Sequence, residues 1–137
     1  MLTFEAPLGT FNGTGQANIV DPGINPMTII DVTAAWSVQV EWTLAGNFPV
    51  SWLLGNWRIQ AFLERVGPDP DLIVNAAPLT VPFSGDTYSV NIPQDAMLPV
   101  LPGLYRLAVS ITYMDNLGDP KPTAAFQDGP TLQFFAD

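Results

Sequence analysis

The chain has 137 residues, enough for one domain that folds alone, and its 47% hydrophobic content rules out a disordered segment. Four Lys+Arg against thirteen Asp+Glu give a net charge of −9, which argues against phosphate-backbone binding and against an anionic membrane surface. The absence of His and Cys removes imidazole acid–base catalysis, Ser–His and Cys–His nucleophiles, disulfides and the usual zinc ligand sets.

Fourteen Pro and eleven Gly punctuate short apolar runs, and strand alternation dominates over helical periodicity. Residues 1–26 are Gly/Pro-rich with isolated apolar residues (Leu2, Phe4, Phe11, Ile19, Val20), and read as an edge strand or an arm. Met27 to Val32 reads as a strand. From Trp36 to Leu44, Trp36, Val38, Val40, Trp42 and Leu44 share one face, and Ser37, Gln39, Glu41 and Thr43 the other. From Trp57 to Val66, Trp57, Ile59, Ala61 and Leu63 oppose Arg58, Gln60, Phe62 and Glu64. The Pro-bounded runs Leu72 to Val74 and Leu79 to Phe83 belong at a sheet edge, because Pro cannot donate in a central ladder. Tyr88, Val90 and Ile92 alternate with Ser89 and Asn91 up to Pro93. After a crossover, Tyr105, Leu107, Val109, Ile111 and Tyr113 form the dry face of a second long, central strand. Ala124 to Phe135 is the last strand, bulged at Gly129-Pro130. The pattern predicts an all-β, antiparallel, two-sheet Greek-key sandwich of about seven to nine strands over residues 27–137.

The run Leu101-Pro102-Gly103-Leu104-Tyr105 resembles the tyrosine corner of immunoglobulin-like and fibronectin type III-like sandwiches. Trp57 matches the buried Trp of their third strand, Leu107 stands where antibody domains carry the second Cys, and Val38 or Val40 replaces the first. The resemblance implies a disulfide-free scaffold for binding or assembly, and it carries over no catalytic residue.

Between the second and third of these strands, Asn47 to Gly55 holds Phe48, Val50, Trp52, Leu53 and Leu54. Such a segment either plugs one mouth of the sandwich or forms a partner-binding patch. Phe134 and Phe135 face opposite sides of the last strand, so one is core and the other lies outside. With Phe62, Ala108 and Met114 also on the outer face, a covering segment or a second subunit is expected there. The partner-binding set is therefore Phe48, Val50, Trp52, Leu53, Leu54 and Phe135. Asp115, Asn116 and Asp119 share a turn, and an immunoglobulin-like topology brings Asp86 to the same end. These are the residues from which a Ca²⁺ site would have to be built. Their spacing is not that of an EF-hand and they lack a bidentate Glu, so solvated turn carboxylates are expected and no metal is assigned. Asp69 and Asp71 flank Pro70 in a turn without a supporting cleft. Serine has no activating base other than the single Lys121. Trp36, Trp42 and Trp57 could offer a sugar-stacking platform, but their register favours the core.

No cofactor is implied. The expectation is a non-enzymatic structural or interaction protein whose partner is protein, as a homo-oligomer or a larger assembly, docking through the apolar loop, the outer sheet face and the amino-terminal arm. The alternative is a carbohydrate- or surface-binding module using Trp52 with Asn47, Asn56 and Asp115; a small hydrolase ranks last. The start MLTFEAPLGT has no cationic stretch before an apolar core, and no apolar run approaches the ~20 residues of a membrane helix. Cytosolic synthesis without a signal peptide and without membrane insertion is expected, with assembly or release by a non-classical route left open.

Overall fold

The computed structural model describes residues 2–5, 11–23, 25–46, 55–66, 73–82, 87–97, 100–114 and 120–136, with backbone alone in 2–5, 11–13, 45–46, 73–75 and 120–130. These residues form ten strands. They are β1 (Leu2–Glu5), β2 (Phe11–Val20), β3 (Ile29–Asp31), β4 (Ser37–Gly46), β5 (Asn56–Arg65), β6 (Ile73–Asn75), β7 (Leu79–Pro82), β8 (Thr87–Pro93), β9 (Gly103–Met114) and β10 (Pro120–Phe135). The described residues contain no α-helix; one 3-10 turn, Gln94–Ala96, follows β8.

Hydrogen bonding runs unbroken through β6-β5-β9-β10-β1-β2-β4-β8, with β7 also on β5 and β3 also on β10. Every pairing between these strands is antiparallel except β3 with β10. The path doubles over on itself, because strands far apart along it touch through their side chains. Trp42 of β4 meets Trp57 of β5 with ring centroids 6.2 Å apart, and Tyr88 of β8 meets Trp57 at 6.0 Å. The result is two layers. One is β5, β9 and β10 with the short β3, β6 and β7; the other is β2, β4 and β8. Strand β1 links them by pairing with both β10 and β2.

The reason for this closure is the dry face of each long strand. Val38, Val40, Trp42 and Leu44 on β4 are buried, as are Trp57, Ile59, Ala61 and Leu63 on β5 and Tyr105, Leu107, Val109, Ile111 and Tyr113 on β9. A lone sheet would leave these in water, and burying a side chain of this size is worth about 1.5–3 kcal/mol. Trp36, just before β4, closes the other end of the core edge-on against Phe134 at 5.4 Å. Trp36, Trp42 and Trp57 are thus core residues and form no exposed platform.

The amino-terminal segment is integrated into this frame. Strand β2 pairs with β4 along all its ten residues and contributes Ala17, Ile19 and Val20 to the core. At its end Asp21 closes a tight turn. The backbone N–H of Gly23 and that of Asn25 donate to its Oδ1 at 2.9 and 3.0 Å. The Asn25 backbone bond is the main cause that holds the Asp21 carboxyl below its ordinary value.

At the periphery, β6 and β7 occupy successive halves of the same edge of β5, the edge position that their Pro-bounded sequences predict. Strand β9 is central, between β5 and β10. In β10, Asp128 stands opposite Ala108 and Thr131 opposite Arg106, so one extra residue is accommodated at Gly129-Pro130. This is the bulge that the proline, lacking a donor, enforces.

Candidate interaction surface

Six large apolar side chains lie exposed among the described residues, and five of them gather at one end of the β5-β9-β10 layer: Ile29, Val66, Leu101, Leu104 and Phe135. The register explains the gathering. The backbone N–H of Val66 donates to the Leu104 carbonyl at 2.9 Å. Leu104 stands opposite Gln133 of β10, and Gln133 stands opposite Ile29 of β3. Residues facing one another across a ladder project to the same side, so Val66, just after β5, forms one outward row with Leu104, Gln133 and Ile29 of β9, β10 and β3. Phe135, two residues beyond Gln133, extends the row along the same face.

Adjacent residues on the same strands point inward. Phe134 is 1% exposed and Phe135 is 39% exposed, which fixes their assignment as core and surface respectively. Ile30 is buried opposite Phe134, whereas Ile29 is 66% exposed. An isoleucine two-thirds in water gains little from folding, and its cluster with four other exposed apolar residues goes beyond the single exposed side chains that need no explanation.

The patch sits on a rigid corner. Tyr105 is buried, its ring edge-on to Phe134 at 5.5 Å, and its hydroxyl donates to the carbonyl of Leu101 at 2.7 Å. Gly103 has φ of +153°, and a Cβ there would press on the Arg65 guanidinium at 3.2 Å, so only glycine fits comfortably. Arg65 Nη2 in turn donates to the Pro102 carbonyl at 3.4 Å. Leu101 and Leu104 are thereby held outward by backbone anchors rather than by their own side chains. Tyr105→Phe is expected to cost about 1 kcal/mol, visible as a fall of a few degrees in the thermal midpoint. An unchanged midpoint would mean that the hydroxyl does not anchor the corner.

Of the residues assigned to partner binding from the sequence, Phe135 belongs to this patch. Phe48, Val50, Trp52, Leu53 and Leu54 lie outside the described residues, as do Asp86, Asp115 and Asp119. Residues 47–54 join Gly46 to Gly55, at the end of β5 that pairs with Met114; Phe135 sits near Gly103, at the other end of β9. Phe135 and Gly55, where the segment enters β5, are therefore at opposite ends of that layer. The expectation of an apolar outer face needs one correction. Phe62 and Met114 are half-buried, but Ala108 is only 1% exposed and offers no surface. A side chain of one carbon, placed directly opposite Phe62, is overshadowed by its neighbours.

The other layer presents a different surface. Its outward side chains form rows Thr14-Thr43-Thr87, Gln16-Glu41-Ser89 and Asn18-Gln39-Asn91, hydroxyls and amides with a single carboxylate. A shallow depression of about 510 Å³ lies over Thr14, Gln16, Asn18, Glu41 and Thr43. Among the described residues no group of three or more carboxylates could hold a metal ion, and no helix is long and apolar enough to cross a membrane. Neither the models of known families nor the characterised proteins include a match to this chain.

Proposed function

We propose that this chain is a non-catalytic interaction domain of immunoglobulin-like type, which docks onto protein through the apolar end patch. The observation that carries the reading is the gathering of Ile29, Val66, Leu101, Leu104 and Phe135 on a backbone-anchored corner. Interface cores are built from apolar and aromatic groups of this kind, placed where desolvation is complete on docking. The immunoglobulin-like type is supported by three features. Strands β2-β4-β8 and β5-β9-β10 follow the order of the two sheets of that fold, β3 runs parallel to the last strand, and the Tyr105–Leu101 bond has the form of a tyrosine corner. The net charge of −9 keeps a protein with such a patch soluble, and screening salt favours its association. In the folded chain β2 already occupies the place beside β4, so exchange of residues 1–26 between copies would keep these pairings while crossing subunits.

The second reading, a carbohydrate- or surface-binding module, is favoured by the hydroxyl and amide rows over β2, β4 and β8. These suit a neutral polyhydroxylated ligand better than a charged one. One pair of substitutions separates the two. Ile29→Asp with Leu104→Asp places two charges on the patch without touching the core. Association measured by light scattering, or by capture of a protein partner, is expected to fall at least about tenfold with the thermal midpoint retained. Unchanged association would remove the patch from the function. A glycan-array signal that survives both substitutions would favour the second reading.

A further inference from the structure

Across β5 and β9, Arg58 stands opposite Thr112 and Gln60 opposite Ser110. All four project to the outer side of the layer, since Ile59 and Ile111, between them, are buried in the core. With Met114 they line a depression of about 330 Å³, at the small end of the range for small-molecule sites. Leu104 of the apolar patch lies on the same face of β9 but about 26 Å further along the strand, so the two features are separate. From this arrangement we infer a binding site for a hydroxy acid, its carboxylate held by Arg58 and Thr112 and a hydroxyl of the same molecule held by Gln60 and Ser110.

The guanidinium sets the sign of the ligand. Arg58 is exposed, and among the described residues no carboxylate is paired with it. Its planar fork presents two parallel N–H donors that match the two oxygens of a carboxylate. Thr112, directly opposite with its Cβ about 5 Å away, brings a hydroxyl that donates to the same group. A phosphate dianion suits the site less, because one guanidinium offsets one charge and a chain of net charge −9 repels the second. Gln60 sets the other half of the ligand. Its Nε2 donates to the Ala76 carbonyl at 3.2 Å, which commits the nitrogen and leaves Oε1 as an acceptor. An acceptor beside the Ser110 hydroxyl, which both donates and accepts, calls for a hydroxyl on the ligand. The two pairs are one same-face step apart along the strands, about 6.5–7 Å, a span that a sugar acid covers between its carboxylate and its far ring hydroxyls. All four side chains stand on long paired strands, so the site is preformed and no loop has to close over it.

Titration of the full chain with D-glucuronate, followed by amide NMR, is expected to shift the resonances of Arg58, Gln60, Ser110 and Thr112 and to saturate with a Kd of about 1 mM. D-glucose lacks the carboxylate, acetate lacks the hydroxyls and inorganic phosphate carries the extra charge; each is expected to bind at least about tenfold more weakly. Arg58→Gln, at an exposed position, is expected to weaken glucuronate binding by about tenfold or more with the thermal midpoint retained. Arg58→Lys keeps the charge without the fork and is expected to recover only part of the loss. The patch pair Ile29→Asp with Leu104→Asp is expected to leave glucuronate binding unchanged, and Arg58→Gln to leave protein association unchanged, so each site is read without the other. A chain unaffected by ~50 mM glucuronate overturns the inference. So do shifts confined to β2 and β4, phosphate or glucose binding as tightly as glucuronate, and binding that survives Arg58→Gln.

Discussion

Replacing Trp57 with alanine is expected to cost about 3–5 kcal/mol and to lower the thermal midpoint by roughly 10–20 °C. Trp57 is fully buried and touches three other aromatic rings: Trp42 at 6.2 Å, Tyr88 at 6.0 Å and Tyr113 at 5.4 Å, all edge-on. Trp42 and Tyr88 are themselves stacked at 4.8 Å, nearly parallel. The indole thus joins β4 and β8 of one layer to β5 and β9 of the other, and no disulfide shares that task. Its removal leaves a cavity that neighbouring rings, each held by the others, cannot fill. Domain stabilities are about 5–15 kcal/mol, so the loss consumes a large part of the total. Trp57→Phe keeps one ring in place and is expected to lose distinctly less. Equilibrium denaturation of the two variants checks the ordering; equal and small losses would mean that the ring cluster does not hold the layers together.

The core of this fold is legible in the sequence because β4, β5 and β9 repeat their apolar residues every second position. That period leaves little choice about which side is dry. Proline placement marks the bulge at Gly129-Pro130 and the peripheral position of β6 and β7. Strand β2 is harder to see. Its sequence, Phe-Asn-Gly-Thr-Gly-Gln-Ala-Asn-Ile-Val, contains two glycines and few β-formers, and it is a strand because β4 offers a full-length partner. The parallel pairing of β3 with β10 leaves no trace in local pattern, since alternation tells a face but not a neighbour.

The patch is only partly readable. Phe135 follows from its adjacency to Phe134. Val66 and Leu104 fall on the same parity as Arg58 and Arg106, the wet side of their strands, so extending the alternation by one step marks both as outward. The Leu101-Pro102-Gly103-Leu104-Tyr105 run reads as a corner, and that reading hides the exposure of its two leucines. Ile29 is placed only once its partner Gln133 is known. What such a chain exposes is thus set less by any one residue than by register, which determines the apolar residues that come to share a face.

Gly55→Ala is expected to destabilise by about 3 kcal/mol, although it adds a single carbon. Gly55 is buried at the start of β5, and a Cβ there would overlap the hydroxyl and ring of Tyr113 and crowd the carbonyl of Met114. Neither neighbour can give way freely. Tyr113 is buried edge-on to Trp57, and Met114 is the β9 partner of Asn56. The chain must therefore shift at the joint where the apolar segment 47–54 enters β5. Removing the nearest obstacle with Tyr113→Phe is expected to recover part of the loss, because the ring carbon remains close after the hydroxyl has gone. A double-mutant cycle isolates this coupling, expected at about 1 kcal/mol in the favourable direction. Wild-type stability for Gly55→Ala alone would mean that β9 and the start of β5 are not packed as closely as their register requires.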